Sequence, residues 1–170
     1  MRKIGILIVL ISLFGLISCI KQAPQLPSNK GIEIDTKSAS LLIINKNLAK
    51  REDINLSNFA AKKGGFKKSD VGFWYKIERR GSGTLIKDSI ECKFEYKMTL
   101  LNGKQLDLGE KQIVIGRKQT ILGLEEGLKL MYKGESGTFI IPWYLGYGMK
   151  GFEQIVPPYT SIIYTIKVLN

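Results

Sequence analysis

Apolar and polar residues alternate along much of the second half of the chain, and this pattern predicts a β-sheet. The most regular alternation runs through Ile90–Leu100, where five apolar positions share one strand face and five polar positions share the other. The Asn102-Gly103 pair that follows is typical of a tight hairpin turn. Shorter strands are expected at residues 72–79, 112–115, 136–142 and 160–169. One face of the main strand is therefore expected to lie in a core, and it carries Cys92, Phe94, Tyr96, Met98 and Leu100.

One short α-helix is predicted to interrupt the β pattern, between Thr120 and Tyr132. Its apolar residues recur at spacings that place them on one helix face, namely Ile121, Leu124, Leu128 and Met131. Gly134 is expected to cap the end of this helix. A short helix facing a curved antiparallel sheet is an α+β fold, in which the concave sheet and the start of the helix enclose a small apolar pocket.

The region before the sheet, residues 37–71, is predicted to be a helical extension built from two short helices. The first covers Ser38–Lys50 and is amphipathic, with apolar residues at Leu41, Leu42, Ile43, Ile44 and Leu48. The second covers Leu56–Lys63, with Phe59 and Ala60 facing inward, and ends at Gly64-Gly65. Together they are too short for an independent domain, so we expect them to pack on the main body or to hold it away from a membrane.

The first residues have the features of an export signal. Arg2 and Lys3 precede an apolar run from Ile4 to Ile17, which is shorter than the ~20 residues of a membrane-spanning helix. Residues 1–18 are therefore predicted to be a signal peptide. Because Leu16-Ile17-Ser18-Cys19 looks like a bacterial lipobox, Cys19 is the expected lipidation site and residues 19–36 a tether. The alternatives are a plain signal peptide with a chance cysteine, or an uncleaved anchor.

These signals predict a protein of the cell envelope that is attached to the membrane by lipid. The residue after Cys19 is Ile20 rather than Asp, which is compatible with sorting to the periplasmic side of the outer membrane. The chain is basic, with a formal net charge of +11. Charge spread over solvated faces explains this excess better than binding of anionic lipid head groups or acidic partners does. Nucleic-acid binding is not expected for an exported chain without a basic-aromatic motif.

The residue inventory excludes several classes of chemistry. The chain contains no histidine, and therefore lacks the commonest general base and the imidazole ligand of most metal sites. A Ser-His or Cys-His nucleophile system is excluded for the same reason. We therefore expect no metal and no cofactor. With Cys19 lipidated, Cys92 is the remaining cysteine, and its place on the apolar strand face predicts a buried structural thiol.

Several motifs follow one another in a characteristic order within residues 72–170, namely Thr120-Ile121, Gly123-Leu124-Glu125-Glu126-Gly127-Leu128, Ile141-Pro142, Leu145-Gly146-Tyr147-Gly148 and Ile155-Val156-Pro157-Pro158. Their order and spacing resemble those of FKBP-type peptidyl-prolyl cis-trans isomerases. The lipobox, the paired N-terminal helical segments and the segment Gly72-Phe73-Trp74-Tyr75 further resemble FKBP-type lipoproteins of the Bacteroidetes lineage, including those associated with gliding motility. The resemblance implies an FKBP-like fold, with a curved antiparallel sheet wrapped around one helix, and an isomerase domain over residues 72–170.

The same resemblance implies roles for individual residues. The Ile121 backbone N–H would bind the carbonyl next to the proline ring. The Tyr147 hydroxyl would bind the carbonyl of the residue before proline, and Asp107 would lie near the reacting amide. The proline pocket would be formed by Tyr96, Leu106, Thr120, Leu124 and Tyr164, with Phe152 and Ile155 on the flap that covers it.

Four positions depart from the family pattern. Leu124 occupies the pocket floor, where tryptophan is usual, and Leu106 replaces a phenylalanine of the wall. Lys111 stands where another aromatic residue commonly lies, and Tyr164 replaces a phenylalanine. Loss of stacking surface should lower the affinity for macrolides and the isomerase activity.

The sequence thus predicts a monomeric, lipid-anchored isomerase that acts on proline-containing or unfolded exported polypeptides. One alternative is an FKBP-like chaperone or binding module without turnover. Another is an accessory subunit of an envelope complex, for example one that serves gliding motility.

Overall fold

Two α-helices and six β-strands make up the secondary structure of residues 36–81 and 83–170, the part of the chain that the computed structural model describes. The predicted signal peptide, the lipidation site Cys19 and all of the predicted tether except Thr36 lie outside the described residues. Within that part, no helix is both long enough and apolar enough to cross a bilayer. The elements are α1 (Thr36–Lys63), β1 (Lys67–Lys68), β2 (Trp74–Arg79), β3 (Glu91–Leu100), β4 (Gln105–Val114), α2 (Leu122–Leu128), β5 (Ser136–Ile141), a 3₁₀ turn (Trp143–Leu145) and β6 (Ile162–Val168).

The strands form one antiparallel sheet in the order β1-β2-β5-β6-β3-β4. The predicted Asn-Gly turn joins β3 to β4, and Gly103 adopts the left-handed conformation (φ 88°) that this turn requires. The fold class predicted from the alternation, α+β with a sheet around one short helix, is confirmed.

Strand β4 is longer than its sequence pattern predicts. It spans Gln105–Val114 rather than residues 112–115. Its first four residues alternate between polar and apolar, but the alternation stops at Gly109 and Leu108 is exposed. The strand lies at the edge of the sheet, where it pairs with β3 alone. Backbone hydrogen bonding to a strongly patterned neighbour orders this segment, and such an edge leaves little apolar signal in the sequence.

Both faces of the central sheet are covered, and β5 shows this most clearly. Phe139 and Ile141 belong to the main core, which contains Leu124 and Leu128 of α2. Ile140, between them, belongs to a second cluster on the opposite face. Because successive side chains of a strand point to opposite faces, these three consecutive residues are all buried, each with 0% of its surface exposed.

Helix α1 supplies the cover on that second face. Its residues Leu56 and Ala60 pack with Trp74 of β2 and with Ile140. Lys68 of β1 lies over the Trp74 ring, 4.8 Å from its centroid, and pairs with Asp53 of α1 at 2.7 Å. The residues from Ser40 to Asn170 therefore form one compact unit.

The prediction of two short helices before the sheet is wrong. A single helix of 28 residues runs from Thr36 to Lys63. No glycine or proline interrupts that stretch, so nothing stops the first helix before the second begins. The stop at Gly64-Gly65 is confirmed, since both glycines have positive φ (74° and 77°).

The apolar residues at the start of this extension are exposed, so this part does not follow the first of the two alternatives, packing on the main body. Leu41, Leu42, Ile43 and Ile44 are each more than half exposed. Four consecutive apolar residues encircle a helix rather than form one face, which is why they cannot all be buried against a sheet.

The predicted domain start at residue 72 falls inside the compact unit, because β1 and the packed half of α1 precede it.

Helix α2 is shorter than expected and ends at Leu128 instead of continuing to Tyr132. Tight turns follow, in which Leu130 and Met131 donate to the carbonyls of Gly127 and Leu128 (3.1 and 3.0 Å). Met131 is buried as predicted, although it lies outside the helix. Gly134, expected to be the helix cap, lies in a later turn at φ 80°.

Two glycines allow α2 to lie very close to the sheet. A Cβ atom at Gly123 would lie 2.5 Å from Cγ2 of Ile141, and one at Gly127 would lie 2.8 Å from the Phe139 ring. Real Cβ atoms do not approach neighbours so closely, so only glycine fits at these two positions.

Replacing Gly127 with Ala is therefore expected to destabilise the protein by about 1–3 kcal/mol, because Phe139 is fully buried and cannot move aside. This outcome opposes helix propensity, which favours Ala by ~1 kcal/mol. The free energy of unfolding, measured by urea denaturation of the purified protein, tests it. Leu122→Ala is the control, since Leu122 is exposed on the same helix and its loss should cost less than about 1 kcal/mol. A neutral or stabilising effect of Gly127→Ala would show that the close approach is not needed.

Candidate functional site

A cavity of about 230 Å³ opens between β3, β4, β6, the start of α2 and the loop that follows the 3₁₀ turn. We call that loop, Leu145–Pro158, the flap. Aromatic residues are the commonest members of the lining, and hydroxyl groups, one carboxylate and one lysine ammonium group contribute polar surface between the rings. The lining residues are Phe94, Tyr96, Asp107, Lys111, Thr120, Leu124, Tyr147, Phe152 and Tyr164.

The first polar feature of the cavity is the pair Tyr96 and Asp107. The Tyr96 hydroxyl donates to Oδ2 of Asp107 at 2.7 Å, and the backbone N–H of Leu108 donates to Oδ1 at 2.8 Å. Burial, together with the adjacent carboxylate, raises the pKa of Tyr96 to about 12. Tyr96 therefore stays protonated at neutral pH, and the Asp107 carboxylate is held in one orientation.

The second polar feature is a pair of phenols. The hydroxyl oxygens of Tyr147 on the flap and Tyr164 on β6 lie 3.1 Å apart. Tyr164 is only 4% exposed, and its burial raises its pKa well above the usual range for tyrosine. The ring of Tyr96 lies next to that of Tyr164, with centroids 5.8 Å apart, so the two polar pairs face the same cavity.

The flap keeps its shape through a tight internal turn. Phe152 and Val156 exchange two backbone hydrogen bonds (2.9 and 3.0 Å). Gly151 has φ 71°, and a Cβ atom there would collide with the Val156 carbonyl oxygen. This turn places the Phe152 ring on that of Tyr147, stacked at 5.0 Å with an angle of 23° between the planes. The Phe152 ring and the Tyr164 hydroxyl thus both contact Tyr147 and hold its side chain in place.

The structure brings most of the predicted site residues to this cavity. Three of them, Leu106, Ile121 and Ile155, do not line it and instead pack, partly buried, against the main core. Ile121 caps the start of α2 beside the lining residue Thr120, and its backbone N–H donates to no other group in the described part of the chain. The predicted residues that do line the cavity are Tyr96, Asp107, Thr120, Leu124, Tyr147, Phe152 and Tyr164.

Two lining residues were not among those predicted for the site. Phe94 lies two positions before Tyr96 on the same strand face, and its ring lies 6.2 Å from that of Tyr96. That period-two spacing was the available signal for it. Lys111 was noted as a departure from the aromatic pattern, and its register partner on β3 is Phe94, which explains its place at the cavity.

The thiol of Cys92 does not line the cavity. Cys92 is a free, buried thiol, as predicted, and its burial raises its pKa to about 11 although Lys133 opposes the shift. Among the described residues, no cluster of Cys, Asp and Glu is arranged to hold a metal ion.

Helix α1 supports the flap from outside the cavity. The backbone N–H of Trp143, at the base of the flap, donates to the buried hydroxyl of Ser161 at 3.1 Å. That hydroxyl in turn donates to the Glu52 carboxylate of α1. Further along the helix, the Asn45 amide lies 3.3 Å from the sulfur of Met149 on the flap. The helix before the sheet therefore contacts the element that carries Tyr147.

Comparison with known proteins identifies the class that this fold and cavity define. The model of the FKBP-type peptidyl-prolyl cis-trans isomerase family matches residues 83–169. The chain therefore belongs to the FKBP-type peptidyl-prolyl cis-trans isomerases.

Several bacterial proteins named FkpA are among its relatives. The FkpA of Buchnera aphidicola is 33% identical over 147 residues, which cover 83% of this chain and 60% of that protein. The FkpA of Escherichia coli K12 is 34% identical over 113 residues, which cover 65% of this chain and 42% of that protein. The chain thus spans about half the length of these relatives.

Solved structures agree with the assignment. The crystal structure of Escherichia coli FkpA matches with a TM-score of 0.64 at 28% identity, covering 79% of this chain and 65% of that one. A peptidyl-prolyl cis-trans isomerase from Pseudomonas syringae matches with a TM-score of 0.65 at 21% identity, covering 74% of this chain and 93% of that one. At 21% identity, the likeness to the Pseudomonas syringae protein shows the fold alone.

The contact between α1 and the flap gives a testable expectation. Ser161→Ala should leave the buried Trp143 N–H without a partner and cost about 1–3 kcal/mol of folding free energy. Hydrogen–deuterium exchange should then rise in residues 143–160 more than in β3. Ser161→Thr retains a hydroxyl and should restore most of the protection. Thr160→Ala is the control, since that hydroxyl donates to the exposed Pro158 carbonyl. If the two alanine variants exchange alike, Ser161 does not hold the flap.

Proposed function

We propose that this chain catalyses cis-trans isomerisation of X-Pro bonds in exported polypeptides. The observation that supports this most strongly is the convergence of the Tyr96–Asp107 and Tyr147–Tyr164 pairs on one small cavity with many aromatic rings in its lining. The cavity is smaller than the ~300–1,000 Å³ typical of sites for drug-sized ligands, so it suits one ring with the rest of the ligand outside.

This reaction needs no nucleophile and no proton relay. Amide resonance sustains a rotation barrier of ~18–20 kcal/mol, while the cis and trans ground states differ by only about 0.5–1 kcal/mol. A catalyst has to favour the twisted amide over the planar one. A site that replaces water around the amide with aromatic rings does so, because the planar amide is the more dipolar and better hydrated state. The absence of histidine is no obstacle to such catalysis.

Each polar group receives a role in this proposal. Either hydroxyl of the Tyr147–Tyr164 pair can donate, and we assign the donor role to Tyr164, so that the Tyr147 proton is free to bind the carbonyl of the residue before proline. The Ile121 N–H binds the carbonyl on the other side of the ring. The fixed Asp107 carboxylate disfavours the charge-separated resonance form of the amide and orients Tyr96.

Two lining residues set the level of activity. Leu124 provides an apolar floor but a smaller stacking surface than an aromatic ring. Lys111 places a positive charge at a wall. We therefore propose slower turnover and weaker macrolide binding than an all-aromatic pocket would give.

The proposed setting is the cell envelope. The lipobox before Cys19 supports lipid attachment, and the relatives named FkpA are consistent with a folding role there. We propose a monomer on the periplasmic side of the outer membrane, within the lipoprotein group of the Bacteroidetes lineage that the sequence resembles. The second candidate function, a binding module without turnover, is favoured by Leu124 at the floor.

A proline-isomerisation assay on the purified protein separates the two functions. Tyr147→Phe and Asp107→Asn should each lower kcat/KM by about three- to tenfold, as expected for the loss of one hydrogen bond or one charge. Tyr132→Phe and Asp70→Asn alter exposed residues away from the cavity and should leave it unchanged. No rate enhancement by the unaltered protein, with slowed aggregation of an unfolded client, would identify a binding module. Equal rates for all variants would refute the assigned roles.

Lipid attachment is tested by Cys19→Ser in the full-length chain. The unaltered protein should incorporate labelled palmitate and partition with membranes. The variant should incorporate none and remain unprocessed. Labelling of the variant, or absence of labelling in both proteins, would contradict a lipid at this position.

A further inference from the structure

A second, larger groove lies beside the cavity. It has a volume of about 770 Å³ and runs between the turn after β4 and the outer side of α2. Thr120 lines both the groove and the cavity. A chain that leaves the cavity across Thr120 therefore enters the groove directly.

The turn that forms one wall is held rigidly. The backbone N–H of Gly116 donates to the carboxylate of Glu125, which is 6% exposed. The side chain of Gln119 accepts from the Val114 N–H at 2.7 Å. Lys118 adopts φ 53°, a conformation that costs energy for a residue with a side chain. The turn thus presents Arg117 and Lys118 from a fixed backbone.

Some charged side chains of the groove already have partners within the protein, and others do not. Lys129 bridges Asp88 at 2.9 Å and Glu126 at 3.0 Å, so it engages both carboxylates. The Glu125 carboxylate is engaged by Gly116, as described above. Arg117 and Lys118, by contrast, form no ion pair with any residue that the structure describes. A ligand in the groove meets two unpaired cations and carboxylates that already have partners.

We propose that this groove binds the residues that follow proline in a client polypeptide and favours acidic side chains there. The direction in which the client polypeptide runs follows from the proposed roles of the polar groups. Tyr147 binds the carbonyl before proline, and Ile121, next to Thr120, binds the carbonyl after it. This assignment therefore rests on the proposed isomerase site. Arg117 and Lys118 select among clients by charge complementarity.

Binding of labelled peptides tests the assignment independently of turnover. Fluorescein-labelled Ala-Ala-Ala-Pro-X-X peptides, with X as Glu, Gln or Lys, are titrated with full-length protein in detergent, and Kd is read from fluorescence anisotropy. The Glu peptide should bind about two- to fivefold more tightly than the Gln peptide, as exposed ion pairs allow, and the Lys peptide least tightly. The ratio of the Gln-peptide Kd to the Glu-peptide Kd should fall towards one in about 1 M salt.

Charge-neutral variants locate the preference. Arg117→Gln combined with Lys118→Gln should bring the ratio of Gln to Glu Kd values to about one. Lys50→Gln combined with Lys62→Gln removes two exposed cations from α1 and should leave the ratio intact. Peptides with the acidic pair before proline should not respond to the groove variant.

The outcomes separate this proposal from the isomerase function. Equal Kd values for the Glu and Gln peptides, no binding of any peptide, or a preference that survives the groove variant would each overturn the groove assignment. Loss of the preference in the α1 control would also overturn it, because the effect would then come from net charge. Tight, acid-selective binding without catalysed isomerisation would support the groove assignment and refute turnover.

Discussion

The close approach of α2 to β5 is the constraint on which the rest of the site depends. Gly123 and Gly127 have no Cβ, and any side chain at either position would overlap Ile141 or Phe139. The distance between helix and sheet then fixes the height of Leu124 above the sheet and the position of the Thr120-Ile121 start of the helix. The floor of the cavity and the wall between the cavity and the groove are therefore consequences of one packing contact.

The opposite face of the sheet makes this contact possible. Ile140 and Trp74 would be exposed if α1 did not cover them with Leu56 and Ala60. The same helix reaches the base of the flap through Glu52 and Ser161. The helix that completes the fold thus also contacts the loop that carries Tyr147, so removal of α1 would affect both stability and the site.

Much of the fold and the site could be predicted from the sequence where side-chain pattern determines structure. The period-two pattern located β3, and the flap motif located Tyr147. Pattern could not reveal the full length of β4, because an edge strand is ordered by backbone pairing. The sequence pattern also divided α1 into two helices at residues 51–55, a largely charged stretch that a helix tolerates well. The groove escaped prediction because Asp88 is separated from Arg117 and Glu126 by strands β3 and β4, so that the three residues line one groove only after the chain folds.

The central claim is that this site accelerates rotation of an amide without moving a proton. The chain has no histidine, and Tyr96 and Tyr164 keep their protons because their pKa values are raised above that of an ordinary tyrosine. The most direct test is the dependence of kcat/KM for a neutral proline peptide on pH between about 6 and 9. The account predicts a constant value across this range. An inflection within it, or no catalysed rate at any pH, would contradict the account.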